Sequence, residues 1–300
     1  PGVRSFEKYP LGELLGYIDW MPFFNAWELS GKFPDVLSDP TVGEAASNLY
    51  ADARRMLKQL IAENWLEARA VVGLFPANAV GDDVEVYADE ERGQPLVTLS
   101  FLRQQKGKPP GQAHECLADY IAPKSSGVRD YIGAFAVTAG IGIEEHIARF
   151  QRGHDDYSSI MLKALADRFA EAAAEHFHER VRRELWGYAG AESLTNEQLI
   201  REEYQGIRPA PGYPSCPDHT EKAKLWRLLD VESRTGIRLT DAYAMYPTAA
   251  VSGWYLAHPE AHYFPLGLIA RDQVEDYGRR KDMPLEQAEK WLSASLGYRT

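Results

Sequence analysis

The sequence predicts a single mixed α/β (α+β) domain built on an antiparallel sheet. Short strand-like runs at 70–75, 83–87 and 95–101 are separated by turn residues. The turn at 90–93 joins the last two runs as a hairpin, which favours antiparallel pairing over a doubly wound parallel sheet. The chain of 300 residues contains no internal repeat, low-complexity tract or long linker. One integrated body is therefore the simplest account.

Apolar residues at helical spacing predict a first long helix from Thr41 to Asn64, and Thr41 with Glu44 forms a capping-box pattern at its start. The longest predicted helix covers residues 157–188. A shorter one at 195–204 starts with a capping box of Thr195 and Gln198. The last two are a helix at 222–235, which ends before Gly236, and a closing helix from Pro284.

Residues 131–139 are predicted to form a buried central strand because they are almost all apolar or small. Further strands are predicted at 242–245, 250–255 and 263–269. The glycines Gly140 and Gly142 follow the central strand, but the third glycine of a dinucleotide fingerprint is missing. Acidic residues come directly after them, where a phosphate would have to lie. A nucleotide-phosphate loop is therefore disfavoured.

The charge balance restricts the partners. A formal net charge of −11 disfavours nucleic acid or an anionic membrane as the main partner, since both attract basic surfaces. Cys116 and Cys216 are the two cysteines, which favours a reducing cytoplasm and leaves no ligand set for a zinc cluster. No long apolar run or signal-peptide pattern predicts a membrane span or export. Because the chain begins at Pro1, we expect a piece of a longer polypeptide or a processed form.

The segment 206–217 is rich in proline. Each proline fixes φ and disfavours a helical conformation in the residue before it, so the loop is predicted to be stiff and extended. Arg208 offers a planar fork suited to a carboxylate, and Tyr213 offers an aromatic face with a hydroxyl at its tip. We expect the Gly212 amide to be free for a ligand. A stiff loop loses little conformational entropy on binding.

Four acidic residues recur at four-residue spacing in the longest predicted helix and so share one ridge: Asp167, Glu171, Glu175 and Glu179. We interpret Glu175 and Glu179 as a solvated face relieved by neighbouring arginines. Asp167 and Glu171 could border a sulfonium or ammonium ligand if the helix flanks the proline loop, because a cation would offset their repulsion.

Aromatic residues surround two further candidate positions. Asp19 is the one carboxylate within the apolar, aromatic run 17–27, so we expect a cation beside it. Tyr263 and Phe264 are adjacent in a predicted strand, so one ring can pack in the core while the other closes over a ligand. Together with Arg208 they favour an aromatic-walled site for a small, planar, zwitterionic molecule; core packing alone is the alternative.

Other reactive residues form no recognisable site. His176 and His178 are two apart in a predicted helix and therefore diverge, which disfavours a shared metal. Cys216 and His219 have metal-ligand spacing, but no second pair stands nearby. Ser252 lies in a predicted strand and lacks the sharp turn of a serine nucleophile. We therefore predict no metal site and no catalytic nucleophile.

Four segments resemble the C-terminal activation domain of cobalamin-dependent methionine synthase: 17–24, 206–214, 250–255 and 271–277. The similarity runs in order from near residue 8 to Tyr298. The string Arg208-Pro-Ala-Pro-Gly-Tyr-Pro214 is the most specific part of it.

This resemblance implies a single C-shaped domain over 1–300, with a bent antiparallel sheet flanked by helices, that binds S-adenosyl-L-methionine on its inner surface. The ligand contacts that it implies are Asp19, Arg208, Tyr263 and Phe264, the backbone of Ala210 and Gly212, the side chains of Tyr213 and Glu202, and Asp167 and Glu171 at the methylsulfonium.

The resemblance also implies a repair role within a methyltransferase of methionine biosynthesis. The domain presents S-adenosyl-L-methionine to an oxidised cobalamin, and a flavodoxin or flavoprotein reductase supplies one electron. The cobalamin and the zinc of the full enzyme would be held by other modules, because this chain has no Asp-x-His-x-x-Gly motif and too few cysteines. The chain alone is not expected to produce methionine.

Two alternatives stay open at this point. The domain could be a docking module that recruits the reductase without an active ligand site, or a stand-alone protein that reactivates a separate corrinoid protein. Docking of an acidic reductase requires a local basic patch, because the chain itself is acidic. The candidates are Lys32 and the run 279–281.

Overall fold

A six-stranded antiparallel sheet forms the centre of the domain in the computed structural model, which describes residues 1–299. The strands of the sheet are β1 (Gly2–Tyr9), β2 (Glu67–Val80), β3 (Asp83–Tyr87), β4 (Pro95–Ser100), β5 (Asp130–Ile141) and β8 (Ala250–Tyr255). Their order is β4-β3-β2-β5-β8, and β1 pairs with β2. A separate two-stranded ribbon consists of β6 (Arg238–Leu239) and β7 (Met245–Tyr246).

Ten α-helices surround this sheet within residues 1–299. They are α1 (Leu11–Leu14), α2 (Met21–Ala26), α3 (Gly43–Ala62), α4 (Ile143–Arg152), α5 (Asp156–Arg180), α6 (Asn196–Ile200), α7 (Glu221–Leu229), α8 (Val231–Thr235), α9 (Arg271–Arg280) and α10 (Leu285–Trp291). A single wider π turn at Val181–Leu185 continues α5. None of the helices in this described range is long and apolar enough to cross a membrane.

The central strands are buried on both faces, which explains their continuous apolar sequence. Val72 and Phe135 are register partners and pack on one face with the apolar side of α5. Val71 and Ala136 are the next pair and face the opposite core, where Leu225 of α7 packs. The sheet is thus covered by helices on both sides, and a smaller cluster around Tyr277 joins α9 to α10.

Most of the predicted strands and helices are confirmed, and the hairpin of β3 and β4 is antiparallel as expected. The capping box at Thr41 is wrong: Asp39 accepts hydrogen bonds from the amides of Thr41 and Val42, and α3 begins at Gly43. The capping box at Thr195 is confirmed. The predicted helix 222–235 is interrupted at Asp230, which has a left-handed φ of 51°.

One predicted strand is wrong and several elements were not predicted. Residues 263–269 have no regular strand pairing, because Pro265 cannot donate to a ladder and Gly267 adopts a positive φ. Of the predicted strand 242–245, the ribbon keeps only Met245. The unpredicted elements are β1, β6, α1, α2, α4 and α9.

Candidate functional site

The proline loop extends the sheet beyond β8. The amides of Ile207 and Leu256 donate to each other's carbonyls at 2.9 and 3.0 Å, and the Trp254 amide donates to the Pro209 carbonyl at 2.9 Å. Gly253 makes this approach possible, because a Cβ at this position would lie 2.5 Å from the Pro209 oxygen. Proline is tolerated here because the loop lies at the edge of the sheet.

The second half of the loop is closed by its own hydrogen bonds. The Gly212 amide donates to the Cys216 carbonyl at 2.8 Å, so the expectation that this amide is free for a ligand is wrong. Gly212 has a φ of 98°, and a Cβ there would lie 2.2 Å from the His219 ring. The Cys216 thiol donates to the Ala210 carbonyl at 2.9 Å. These contacts fold the second half of the loop back on itself.

A cavity of about 460 Å³ lies between the proline loop, α5 and the segment after β8. Its lining residues are Glu171, Glu202, Arg208, Pro209, Ala210, Tyr213, Pro214, Ser215, Val251, Tyr263, Phe264 and Pro265. Seven of the ten predicted site residues are in this set. The other three, Asp19, Asp167 and Gly212, lie outside the lining of the cavity.

Arg208 forms the charged wall of the cavity and is held by three side chains. Its Nη2 donates to Glu175 Oε2 at 2.7 Å, and its Nη1 donates to the Tyr204 hydroxyl at 2.7 Å and to His178 Nδ1 at 3.2 Å. The Arg208 side chain is 19% exposed, so the guanidinium is largely desolvated but still reaches the cavity. The Arg208 guanidinium and the Glu175 carboxylate depend on each other, because removal of either group would leave the other as an unpaired charge out of water.

The solvated interpretation of Glu175 and Glu179 is wrong. Glu175 is buried under Arg208, and Glu179 is buried with its carboxylate bonded to the Tyr17 hydroxyl and to Arg183. Arg208 and Tyr17, the partners of Glu175 and Glu179, are distant in sequence, whereas Arg183 lies one helical turn after Glu179. A usable signal was present: residues 171, 175, 178 and 182 recur at helical spacing and form one polar stripe. His178, which lies on this stripe, was missed as a member of the site, and so was Tyr204, which comes from the separate segment after α6.

Glu171 and Asp167 differ in environment although they are one turn apart. Glu171 is half-buried at the cavity, and burial raises the pKa of its carboxyl while Arg168 and Arg208 oppose that shift. Asp167 is exposed and pairs with Arg168 at 2.5 Å. The cavity therefore carries one desolvated carboxylate whose ionisation a cationic ligand would favour.

Tyr263 and Phe264 both line the cavity although their segment is not a strand. The Tyr263 hydroxyl accepts a hydrogen bond from the Arg208 amide at 2.9 Å, and its ring is partly exposed. Phe264 is buried in the second core. The Leu266 amide donates to the Pro214 carbonyl at 2.8 Å, which fixes this segment against the proline loop.

Asp19 lies in a turn before α2, where its Oδ1 accepts a hydrogen bond from the Met21 amide at 3.0 Å. Asn196 of α6 donates to the carbonyl of the preceding Ile18 at 3.4 Å. This contact joins the Asp19 turn to the chain segment that leads to Glu202 and Tyr204.

Metal ligation finds no support in the residues that the structure describes, which contain no group of three candidate ligands. His176 instead bonds to the Tyr9 hydroxyl at 2.7 Å.

The basic run 279–281 is not a free patch. The Lys281 side chain is buried, Arg280 pairs with Asp83 and Asp276, and Arg279, although exposed, also pairs with Asp276. Lys32 is exposed.

The fold and the site together define an α+β domain with a cavity of small-molecule size beside an open antiparallel sheet. The sequence matches the model of the vitamin B12 dependent methionine synthase activation domain over residues 10–282. The chain belongs to this family.

A solved crystal structure, that of the MetH reactivation domain bound to AdoHcy, is similar to this chain, with 56% sequence identity and a TM-score of 0.97. The match covers 99% of this chain and 91% of that chain. Because both chains are covered almost completely, the similarity applies to the whole fold and not to one motif.

Proposed function

We propose that this chain binds S-adenosyl-L-methionine in the cavity beside Arg208 and serves as the reactivation domain of a cobalamin-dependent methionine synthase. The observation that carries the proposal is the cavity itself, whose wall contains the Arg208 guanidinium, the half-buried Glu171 carboxylate and apolar residues of the proline loop. This arrangement suits a zwitterion that also carries a sulfonium. AdoHcy, to which the similar MetH reactivation domain is bound, has the same adenosyl and amino-acid parts.

The cavity residues fit such a ligand by size and by chemistry. A volume of about 460 Å³ lies within the usual range for small-molecule sites, roughly 300–1,000 Å³. Arg208 would bind the α-carboxylate through a charge-assisted hydrogen bond. Glu171 and Glu202 would attract the sulfonium, with Asp167 at the rim. Tyr263 and Phe264 would hold the adenosyl group against the loop.

The remaining contacts come from the neighbourhood of the cavity. We expect backbone groups of Ala210 and Gly212 to bond the ligand on the loop side, with the Gly212 carbonyl rather than its amide taking part. Tyr213 would cover the ligand from solvent. Asp19 would pair with the ammonium, which requires the ligand to extend from the cavity towards the turn before α2.

Bound S-adenosyl-L-methionine supplies a methyl group already activated on a sulfonium. A cob(II)alamin that received one electron from a flavodoxin or flavoprotein reductase would accept this methyl group as a cation equivalent, which would give methylcobalamin and S-adenosylhomocysteine. The residues of this chain orient the donor and stabilise its charges, and none of them forms a covalent bond. The cobalamin would be held by another module of the same polypeptide, in the cytoplasm.

Calorimetry of the chain with S-adenosyl-L-methionine tests the proposal directly. We expect saturable one-to-one binding of S-adenosyl-L-methionine and of S-adenosylhomocysteine, and much weaker binding of adenosine, which lacks the amino-acid part. Equal affinity for adenosine would argue against a role for Arg208 in recognition. A chain that binds none of the three would favour a docking module without a ligand site.

A further inference from the structure

The guanidinium of Arg208 has more donors than the protein uses. A guanidinium carries five N–H groups and no acceptor. Tyr204 and His178 take the two on Nη1, and Glu175 takes one on Nη2. The Nε–H and the second Nη2–H make no hydrogen bond with any residue in the range 1–299. Nε and Nη2 share one edge of the guanidinium, which is one of the two edges at which a carboxylate can accept two parallel hydrogen bonds.

The three acceptors are themselves held in place. Glu175 and His178 lie on consecutive turns of α5, and His178 is fully buried with its ring stacked on Tyr255 at 5.1 Å. The Tyr204 ring packs edge-on against His178, and the guanidinium of Arg182 lies 4.0 Å from its centre. These side chains form a rigid layer directly behind the cavity wall.

The protonation states agree with this role as acceptors. Because Arg208 can only donate, His178 Nδ1 must accept, and its proton resides on Nε2. Burial, together with Arg208 and Arg182, holds the pKa of His178 well below its usual value, so the ring stays neutral. Burial also raises the pKa of the Tyr204 hydroxyl, which keeps it uncharged.

We infer that Glu175, His178 and Tyr204 are positioning residues that occupy the far donors of Arg208 and thereby aim its free edge at the α-carboxylate of the ligand. The layer makes the site specific for ligands that carry this carboxylate, and not merely for an adenosyl group. This inference rests on the proposed function, since it assigns part of the ligand to Arg208.

The test is the substitution Tyr204→Phe, which keeps the ring and its packing but removes one acceptor from Nη1. We expect S-adenosyl-L-methionine to bind about tenfold more weakly, the loss of roughly one hydrogen bond to a charged group. Decarboxylated S-adenosyl-L-methionine lacks the α-carboxylate that Arg208 would bind, so its affinity should fall less than about twofold in this variant. Tyr131→Phe is the control, because Tyr131 bonds Glu90 at 2.8 Å away from the cavity.

A second variant, Glu175→Asp, keeps the charge and withdraws the carboxylate from its 2.7 Å contact, so it should show the same selectivity. If either variant weakens both ligands equally while thermal unfolding shifts, the layer is merely structural and the inference is wrong. Unchanged affinity for S-adenosyl-L-methionine in both variants would also overturn it. A parent chain that binds neither ligand would instead overturn the proposed function, and this inference with it.

Discussion

The two ends of the proline loop are each fixed by a cation that is largely removed from water, but the cations differ in how completely their N–H donors are used. At the first end, Arg208 bonds three acceptors and retains a free edge at the cavity. At the other end, Lys281 donates to Asp218 at 2.5 Å, to the Thr220 hydroxyl at 2.6 Å and to the Tyr277 hydroxyl at 3.3 Å, and it also forms an ion pair with Glu221 at 2.6 Å. A saturated cation has only a structural use, whereas an unsaturated one can bind a ligand.

The saturated end is also the more completely buried. Lys281 and Asp218 have side chains only 4% and 3% exposed. Burial opposes ionisation of Asp218, but Lys281, the Thr220 amide and the Tyr277 hydroxyl hold the pKa of this carboxyl below its usual value. The pair connects the end of the loop to the last turn of α9.

The largest effect should come from breaking the saturated end. We expect Lys281→Met to lower the free energy of unfolding by about 3–5 kcal/mol, because Asp218 and Glu221 lose the charge that compensates them. Denaturant titration measures this loss, with the exposed Lys163→Met as the control. Ligand affinity of the folded fraction should change little. A stability equal to that of the parent would remove the contrast between the two ends.

The next effect concerns the unsaturated end. Arg208→Ala should weaken S-adenosyl-L-methionine binding by about 1.5–3 kcal/mol, the range for a hydrogen bond to a charged group. Arg208→Lys should recover only part of this loss, because an ammonium cannot supply a two-pronged edge. Calorimetry with the exposed Arg55→Ala as the control checks both. Full recovery by lysine would show that charge alone is recognised.

A smaller effect is expected from pH. Burial raises the pKa of Glu171, and its ionised form attracts the sulfonium, so affinity should fall severalfold as the pH drops from 7 towards 5. S-adenosylhomocysteine, which has no sulfonium, should show a weaker dependence. Glu171→Gln should bind S-adenosyl-L-methionine more weakly at pH 7, and its affinity should no longer fall between pH 7 and pH 5. If the affinity of this variant still fell with pH, the titrating group would be a residue other than Glu171.

The smallest effect concerns the contact with the reductase, which involves neither end of the proline loop. Because the run 279–281 is bound up in ion pairs, Lys32 is the stronger of the two candidates for contact with an acidic reductase. In the full enzyme, Lys32→Glu should slow reductive reactivation severalfold at low salt, and the difference should shrink as salt screens the encounter. Lys163→Glu is the control. Equal rates at low ionic strength would place the docking surface elsewhere.

The sequence predicted what depends on local chemistry. Five of the six strands of the sheet, the extended start of the proline loop and the importance of Arg208, which lines a cavity, follow from neighbouring residues. The partners of Arg208 do not, because Glu175 and Tyr204 come from separate segments that only the fold brings together. Lys281 was misjudged for the same reason: its partner Asp218 lies 63 residues away.

Two further errors have a backbone cause. The amide of Gly212 looked free because prolines surround it, but the loop turns back on itself and uses this donor at Cys216. Residues 263–269 have the apolar composition of a strand, but Pro265 interrupts any ladder. Composition alone does not distinguish an apolar cavity wall from a buried strand.

The pairing of the proline loop with β8 also protects the edge of the sheet. An exposed edge strand offers unpaired amides and carbonyls to the same strand of another molecule and so promotes aggregation. Here the outermost segment contains Pro209 and Pro211, which have no N–H to donate, so a further strand cannot form a regular ladder. The loop that lines the cavity therefore also blocks the addition of a strand beside β8, and we expect a substitution that detached it to reduce solubility.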